Sequence, residues 1–409
     1  MQKSDRIRAF IERQMPMTLE FLRSMVAINS YTANPTGVNQ LARLTAAQFE
    51  ALGFTAEFIP SANPAYGNHL VMTRLGRSNR SIGLVSHLDT VFPPEEELSN
   101  AFHWQIEGDR IYGPGTNDIK GGTAMMWLVL TTLCAEEPEV LDSVTWKLMW
   151  NSSEECFSPD FGDVCRRHLD SRTMAALVFE SEDRCGSDSL LVVARKGRAT
   201  WRVAVKGRGA HAGGKHEHGA NAIVQAGDLV ERIAGLTDYA RMLTFNVATI
   251  SGGTVLNRVP HETVIEGEFR TFDPEIYNKA KSDLLALTGS GIVRSATDGY
   301  PCQVQACVLT ESRPWPRNAQ TDRLFSIWKA ASEELGMVVD SQERGGLSDG
   351  NLLWDSVPTL DGLGPWGDHG HCSERSADGT KLPEYVEISS FVPKALLNTV
   401  AILKLTTAQ

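Results

Sequence analysis

Histidine and carboxylate residues follow two apolar runs that have the composition of buried strands. His87 and Asp89 come directly after SIGLVS, and Glu154 and Glu155 follow VTWKLMW after a short polar link. Residues two apart on a strand point the same way, so Asp89 can lie behind His87 and accept its second ring N–H, as is common for zinc-bound histidine. The side chains of two adjacent glutamates diverge, so one can bind a metal while the other acts as general base. Ordinary packing of HLD and a solvated SSEE loop are the alternatives.

Three further candidate ligands follow an apolar run or lie in a glycine-rich segment. Asp118 lies in YGPGTNDIKGG, whose glycines allow a tight bend close to an ion, although a helix-capping turn is the favoured alternative for this motif alone. Glu180 closes the apolar run AALVF, and His371 lies in GPWGDHGH, where His369 is a competing candidate. Buried parallel strands place their ligands at their carboxyl ends, in the crevice above the sheet. The joint placement of the five candidates predicts one metal site.

Such a site requires a sheet of buried strands, and the hydrophobic pattern predicts one. Short apolar runs predict strands at 54–59, 68–74, 80–86, 144–150 and 175–179. Longer patterns predict helices at 38–52, 120–134, 387–405 and 5–27, the last interrupted or restarted at Pro16. The alternation of helices and buried strands indicates an α/β fold with a mostly parallel sheet.

The pattern changes near Arg198, which indicates a second domain. From there the order is βαββαβ, the split arrangement of ferredoxin-like domains, with strands and helices predicted at 199–206, 219–235, 243–250, 261–271, 275–288 and 302–309. Because α/β segments flank it on both sides, we interpret 198–309 as an inserted lid or dimerisation domain. The catalytic domain then comprises 1–197 and 310–409.

Composition excludes several classes of function. The 39 basic and 50 acidic side chains give a net charge of −11, which argues against a nucleic-acid partner. Seven irregularly spaced cysteines favour a reducing compartment over a disulfide framework. The charged, amphipathic N-terminus differs from a signal peptide, and no run approaches the length of a membrane span. We therefore expect a cytoplasmic protein with no membrane partner.

Taken together, the motifs resemble those of the zinc metallopeptidases of clan MH, which include glutamate carboxypeptidase, aminoacylase, acetylornithine deacetylase and succinyl-diaminopimelate desuccinylase. The matching stretches run in order along nearly the whole chain: SHLDTV, YGPGTNDIKGG, NSSEE, LVFE, GAHAG, NRVP, EFR, GGLSDGN and GLGPWGDHGH. SHLDTVF, GDRIYGPG and GGLSDGN are most similar to the glutamate carboxypeptidase branch. The resemblance implies a hydrolase that cleaves amide bonds.

The resemblance implies a specific set of metal ligands. His87 and Glu180 would bind one zinc ion, Glu155 and His371 would bind the other, and Asp118 would bridge the two. The expected cofactors are thus two Zn²⁺ per chain, with Co²⁺ or Mn²⁺ able to substitute. In such proteins the peptide bond that follows the bridging aspartate is often cis.

The resemblance also implies roles in catalysis. Glu154 would be the general base, and Asp89 would orient His87. In the inserted domain, His211 matches a histidine that reaches the active site of the partner subunit. A homodimer formed through the inserted domain is therefore expected.

The substrate-binding residues implied by the resemblance belong to three other motifs. Asn257 and Arg270 match residues that hold the substrate carboxylate, while Arg313 and the turn around Gly346 match further substrate contacts. The expected substrate is a small amide or peptide with a free carboxylate next to the scissile bond, of the C-terminal-glutamate or N-acyl-amino-acid type. A deacylase or dipeptidase with another side-chain preference and a non-catalytic peptide-binding relative are the alternatives.

Some neighbouring residues have competing interpretations. Cys156 and Cys372 adjoin proposed ligands and could ligate zinc, but we interpret both as packing residues. His216 and His218 could form a third metal site, but an exposed loop is the favoured interpretation. The loop 372–383 is longer than the family pattern, and a longer loop beside a ligand can reshape the pocket.

Overall fold

The computed structural model describes residues 3–186 and 188–407, which form two compact units. The first comprises the described residues through Val193, the segment Arg317–Glu343 and the residues from Ser348 onwards. The second comprises Ala194–Pro316 and Arg344–Leu347. Each unit has its own hydrophobic core.

The part of the chain up to residue 195 alternates helices and strands. In chain order these are α1 Lys3–Val26, α2 Pro35–Glu50, β1 Thr55–Pro60, β2 Asn68–Arg74, β3 Ser81–His87, α3 Pro94–Ser99, β4 Gln105–Glu107, β5 Arg110–Tyr112, α4 Lys120–Glu136, α5 Pro138–Ser143, β6 Thr145–Asn151, α6 Pro159–His168, β7 Thr173–Val178, β8 Asp183–Cys185 and β9 Asp188–Arg195. The five strands predicted for this region from apolar runs are all present, as β1, β2, β3, β6 and β7. The short strands β4, β5 and β8 carry too few apolar residues to have been predicted.

The second unit is built on one antiparallel sheet with helices. Its elements are β10 Gly197–Lys206, α7 Ala222–Ala234, β11 Thr244–Gly252, β12 Glu262–Thr271, α8 Pro274–Leu285, β13 Gly289–Arg294 and β14 Pro301–Ser312. The strand order is β11-β12-β10-β14-β13. The short edge strand β13 is an addition to the predicted βαββαβ order. The sequence did not predict it because GSGIVR has glycine at two of its first three positions and is mostly exposed.

The remaining elements lie in the first unit, apart from Arg344. They are α9 Ala319–Leu335, β15 Val339–Arg344, β16 Thr359–Leu360, β17 Gly367–Asp368, β18 Tyr385–Glu387 and α10 Phe391–Thr407. The central sheet has the order β1-β2-β6-β3-β7-β16. Pairs β6/β3, β3/β7 and β7/β16 are parallel, whereas β1/β2 and β2/β6 are antiparallel. The predicted α/β class with a mostly parallel central sheet is confirmed.

Two expectations about helices were wrong. Helix α1 continues through Pro16 without interruption, because Pro16 and Glu12 face solvent while Ile7, Ile11 and Phe21 are buried in the core on either side of the proline. The carbonyl that proline leaves unpaired can therefore bond to water. The expectation that no run approaches the length of a membrane span was also wrong, because Ile388–Thr407 is long and apolar enough by length and composition. However, 67% of its most apolar window is buried inside the protein.

A glycine near the start of α4 lets this helix approach the end of β7. A Cβ atom on Gly122 would lie 2.0 Å from the Phe179 carbonyl oxygen, immediately before Glu180. We expect Gly122→Ala to destabilise the protein by about 1–3 kcal/mol, because the strand backbone must move. A lowered thermal unfolding midpoint would show this.

The matched control is Gly227→Ala, also within a helix, where a Cβ atom meets no described atom within 4 Å. This change should stabilise α7 by about 0.5–1 kcal/mol because alanine loses less conformational freedom on folding. If the two variants shift the thermal unfolding midpoint equally, the close approach of α4 to β7 at Gly122 does not contribute to stability as argued.

Candidate metal centre

Three neighbouring parallel strands bring candidate ligands to one edge of the central sheet. In the order β6-β3-β7, His87 ends β3 and pairs in register with Asn151 at the end of β6, while Glu180 lies two residues beyond β7. Glu154 and Glu155 lie in a short 3-10 turn after β6. Parallel strands end at the same edge, so side chains distant in sequence become neighbours.

Asp118 lies between two histidines. Its Oδ1 atom is 3.0 Å from Nε2 of His87, and its Oδ2 atom is 3.2 Å from Nε2 of His371. Nε2 of His87 is also 3.9 Å from Oε1 of Glu180, and Nε2 of His371 is 3.2 Å from Oε2 of Glu155. The five residues thus form two groups that share Asp118, and the ligand atoms within each group lie within 4.8 Å of one another.

The two groups differ in exposure. The side chains of His87 and Glu180 are 1% and 11% exposed, whereas that of His371 is 54% exposed. The second group is therefore the one open to solvent. Within the described residues, neither group includes His369, whose ring contacts Tyr385 instead, and neither includes a cysteine sulfur. The structure therefore favours His371 over His369.

Asp89 holds the turn that carries the two glutamates. Its Oδ1 atom accepts the N–H of Glu154 at 3.0 Å, and its Oδ2 atom accepts the N–H of Glu155 at 3.2 Å and the hydroxyl of Thr32 at 2.7 Å. The expectation for His87 needs one correction, since its Nδ1 atom lies closer to the backbone oxygen of Asp89, at 3.0 Å, than to the carboxylate, at 3.5 Å. The carboxylate is already occupied by backbone N–H groups.

Glu384 was missed by the sequence analysis. It is fully buried, and its Oε1 atom accepts the N–H groups of Asn117 at 2.8 Å and Asp118 at 3.1 Å. The following Asp118–Ile119 peptide bond is cis, as the resemblance implied. Glu384 thus fixes the backbone that carries the shared carboxylate. In the sequence, Glu384 is only a carboxylate at the start of the apolar run EYVEI, and this position does not indicate which backbone groups it contacts.

The site concentrates more negative charge than its histidines can balance. Five carboxylates, those of Asp89, Asp118, Glu154, Glu155 and Glu180, surround two imidazoles. Burial, reinforced by the charge of Asp118, raises the pKa of Glu155 to about 7. Burial also raises the pKa of Glu154 well above its usual value. The buried Oε1 atom of Glu155 has no hydrogen-bond partner among the described residues. Oxygen and imidazole donors with surplus negative charge fit divalent cations.

The long loop after His371 is anchored rather than free. The N–H of Glu384 bonds to the carbonyl of Cys372 at 2.8 Å and closes the loop at its base. Asn100 donates to the Ser373 hydroxyl at 2.7 Å, and Arg375 bonds to Glu107 at 2.9 Å. The loop therefore packs beside the β4–β5 hairpin of the same unit.

The catalytic histidine predicted for the inserted domain has a defined ring state. Nδ1 of His211 accepts the N–H groups of Gly213 at 3.2 Å and Gly214 at 3.0 Å. A neutral ring in this position carries its proton on Nε2, which is then a hydrogen-bond donor. Asn257 is exposed, and its carbonyl accepts the N–H of Ala212 at 3.0 Å, one residue from His211.

The other predicted substrate contacts belong to the same unit. Arg270 bonds through Nε to Glu268 at 2.7 Å and donates from Nη1 to the carbonyl of Gly345 at 3.0 Å. The carbonyl of Gly346 accepts a hydrogen bond from Arg195 at 3.2 Å. Arg313 is exposed beyond the end of β14. These residues remain predictions as substrate ligands.

The charge surplus predicts that the metal-free protein loses stability as pH rises. Burial raises the pKa of Glu155 and Asp349 to about 7 and that of Glu384 to about 8. Hydrogen bonds to Asp118 and Glu155 raise the pKa of His371 to about 11. A raised folded-state pKa gives stability that is complete below the unfolded-state pKa and is lost as pH rises through the folded-state pKa.

All four pKa shifts therefore lower the stability of the metal-free protein as the pH rises from 5.5 to 8.5. We expect chelator-treated protein to lose on the order of 1 kcal/mol or more of unfolding free energy across this range, measured by thermal unfolding. Saturating Zn²⁺ should remove most of the difference in unfolding free energy between pH 5.5 and 8.5, because cations favour the ionised carboxylates. Metal-free protein that is equally or more stable at pH 8.5 would contradict this account.

Comparisons with known proteins also indicate a metal-dependent peptidase. Residues 193–287 match the family model of the M20 peptidase dimerisation domain. The chain is 28% identical over 388 residues to carboxypeptidase G2 of Pseudomonas sp., covering 94% of this chain and 88% of that protein. It is 25% identical to succinyl-diaminopimelate desuccinylase of Nitrosospira multiformis, covering 91% and 94%. The structure of aminopeptidase PepT from Bacillus cereus matches the fold with a TM-score of 0.74 at 21% identity, covering 96% and 98%. The chain is thus similar to M20 peptidases over most of its length, and these similarities identify it as a metal-dependent hydrolase of amide bonds.

Proposed function

We propose that the protein cleaves an amide bond next to a free carboxylate, with a C-terminal glutamate or an N-acyl amino acid as substrate. The observation that carries this proposal is the pair of ligand groups that share Asp118. Such sharing suits two cations a few ångströms apart, the arrangement used to activate a water for hydrolysis. The carboxypeptidase G2 name of a relative that aligns over most of the chain supports the carboxylate preference.

The donor set suggests how the metals would be held. His87, Asp118 and Glu180 would hold one ion, and Asp118, Glu155 and His371 the other. Nitrogen and oxygen donors in sets of three suit Zn²⁺, since catalytic zinc sites commonly combine three protein ligands with an open position. When bound, such ions lower the pKa of water and polarise the amide carbonyl.

Glu154 is the proposed general base. Its backbone N–H is fixed by Asp89, so its side chain starts from a defined position beside the ligand groups. The carboxylate takes a proton from the attacking water and later passes it to the leaving nitrogen. Burial makes the charged form of Glu154 a stronger base than an exposed glutamate would be.

Two residues of the second unit have proposed roles that rest on the family resemblance. The protonated Nε2 of His211 can donate to the oxyanion that forms when water adds to the amide carbonyl. The guanidinium of Arg270 offers planar paired donors that suit a carboxylate. Glu268 accepts from the Nε and Nη2 atoms of Arg270 and the Gly345 carbonyl accepts from Nη1, so one N–H on each Nη atom remains for a substrate.

The second unit also supports a proposed homodimer. Strand β11 is an edge strand, and beyond its midpoint its residues are exposed, including Ile250 at 53%. The adjoining Val255 and Leu256 are more exposed still, at 57% and 103%. An exposed apolar edge strand is a ready surface for pairing with another chain. The match to a dimerisation domain supports a second copy as the partner.

Replacing the proposed base tests the mechanism. We expect Glu154→Gln to reduce kcat on N-acyl-glutamate at least about 100-fold, because the amide cannot accept the proton. Metal content, measured on the same protein by elemental analysis, should stay near that of the wild type. Glu12→Gln, on the exposed face of α1, is the matched control and should leave both quantities unchanged.

Retained turnover in Glu154→Gln would remove this residue as base. A panel of N-acyl-glutamate, N-acyl-aspartate, N-acetylornithine and simple dipeptides then separates the carboxypeptidase-type activity from a deacylase or dipeptidase. If the metal-loaded wild type cleaves none of these, the proposed function is wrong.

Charging the exposed edge strand tests the dimer. We expect Ile250→Lys to convert the protein to a monomer, because a buried lysine would lack a partner at the strand-pairing surface. Light scattering coupled to size-exclusion chromatography gives the mass directly. The control Ile292→Lys places the same charge on β13, at the opposite edge of the same sheet, where the wild-type side chain is 68% exposed. The assignment of β11 to the dimer interface would be contradicted if the wild type is a monomer, or if both variants dissociate to the same extent.

A further inference from the structure

The segment 152–160 carries Glu154 and Glu155 from the end of β6 to the first turn of α6, and we call it the glutamate segment. Between the strand and the helix it has one short 3-10 turn, so neither sheet nor helix hydrogen bonds fix most of its backbone. Asp89 holds the middle of the segment through the N–H groups of the two glutamates. A group that fixes the ends of the segment would therefore also help to place the glutamates.

One imidazole contacts both ends of the glutamate segment. Nδ1 of His69, on β2, accepts the N–H of Ser152 at 3.1 Å, and its Nε2 atom lies 3.1 Å from Oδ2 of Asp160. His69 is fully buried, and its ring centre lies 5.2 Å from that of Phe161, the residue that follows Asp160 on α6. The ring therefore has a fixed place between the residue that leaves β6 and the residue that begins α6.

The contacts of His69 define the state of its ring. A backbone N–H donor requires a lone pair on Nδ1, so the proton of the neutral ring is on Nε2 and is donated to Asp160. Burial outweighs the charge of Asp160 and lowers the pKa of His69, which keeps the ring neutral at pH 7. Asp160 is itself fixed, because its Oδ2 atom also accepts the N–H of Ala62 at 2.7 Å and the hydroxyl of Ser61 at 3.1 Å.

Ser152, His69 and Asp160 have the residue types of a serine hydrolase triad but not its geometry. In such a triad the carboxylate bonds to Nδ1 and the nucleophilic hydroxyl to Nε2, whereas here the two partners are exchanged. The Ser152 hydroxyl donates to the carbonyl of Gly67 at 2.8 Å, and the residue is fully buried. A buried hydroxyl that is already bonded cannot attack a substrate, so this arrangement holds the backbone.

We propose that His69 is a positioning residue, which holds the glutamate segment at both ends and so places Glu154 for proton transfer and Glu155 for metal binding. This inference rests on the proposed function, from which the roles of the two glutamates are taken. Asp89 restrains the middle of the segment, and His69 restrains its ends. A displacement of about 1 Å at a reacting group can lower a rate 100-fold, so both restraints bear on turnover.

Removing both hydrogen bonds of the ring tests the proposal. At saturating Zn²⁺ we expect His69→Leu to lower kcat on N-acyl-glutamate about 10- to 100-fold, because the general base is no longer held in place. KM should stay within about threefold of the wild-type value, since no proposed substrate contact is changed. Calorimetric titration of chelator-treated protein should show that one of two Zn²⁺ ions binds at least about tenfold more weakly, because Glu155 is a proposed ligand of one ion.

Conservative variants separate positioning from a general loss of stability. The side-chain oxygen of asparagine lies about where Nδ1 lies in histidine, so His69→Asn can still accept the Ser152 N–H. This variant should recover kcat to within about fivefold of the wild type. His69→Gln can instead reach Asp160 but not Ser152, and it should recover less. A purely structural role predicts equal losses of kcat in these two variants, because both place an amide in the same buried site.

His168→Leu is the matched control, because it makes the same change at a partly buried histidine of α6 whose Nε2 atom lies 3.8 Å from Oε2 of Glu57. We expect it to leave kcat and Zn²⁺ affinity unchanged. Circular dichroism shows whether each variant is folded. If His69→Leu does not fold, Asp160→Ala releases one end of the segment and should lower kcat at least about threefold. Asp163→Ala, at an exposed site on the same helix, should leave kcat unchanged.

The outcomes distinguish this inference from the proposed function. If Glu154→Gln loses activity but folded His69→Leu keeps the wild-type kcat and Zn²⁺ affinity, His69 is not a positioning residue and the proposed function stands. Equal losses of kcat in His69→Asn and His69→Gln also overturn the positioning role. If the metal-loaded wild type cleaves no carboxylate-bearing amide, the proposed function fails, and the Zn²⁺ titration still decides whether His69 positions Glu155.

Discussion

The carboxylate of Asp118, held between two imidazoles, is the interaction around which the first unit is organised. Each of its oxygens lies about one hydrogen-bond length from a different histidine, at 3.0 and 3.2 Å. These contacts are possible only if the glycine-rich segment before α4 and the end of β3 meet at the same edge of the sheet. The close approach of Gly122 to Phe179 allows this meeting, because any larger residue would separate the helix from the strand. Packing in the core thus determines the geometry of the charged groups.

Two buried carboxylates outside the ligand groups keep that geometry fixed. Asp89 accepts the N–H groups of Glu154 and Glu155, and Glu384 accepts those of Asn117 and Asp118. In each case a side-chain carboxylate holds the backbone of a segment that cannot form regular hydrogen bonds. Bonds from backbone N–H groups to a carboxylate are stronger than neutral ones, and they leave the ligand side chains free to face a cation. This arrangement concentrates negative charge, and the same concentration makes the site suitable for cations.

The parts of this structure that sequence predicts are those with local signals. The runs SIGLVS and AALVF predicted β3 and β7, and the residues that follow them, His87 and Glu180, lie together as parallel strands require. The interruption predicted at Pro16 was wrong because a helix tolerates proline only where the unpaired carbonyl faces solvent, and which side of α1 faces solvent is a property of the packed structure. Glu384 could not be assigned because its partners are more than 260 residues away in the chain. Residue spacing alone left His369 open, and the family resemblance selected His371; the tertiary contacts also separate the two, although both lie in the same short motif and both have a positive φ.

The charge of the ligand groups constrains what can bind to them. Asp118, Glu155 and Glu180 are carboxylates, and carboxylates repel an acidic substrate unless cations neutralise them. Divalent cations at these groups would therefore serve two purposes, since they would balance the buried negative charge and admit a substrate that is itself negative. The concentration of carboxylates that makes the stability of the metal-free protein depend on protonation thus also makes the site depend on cations.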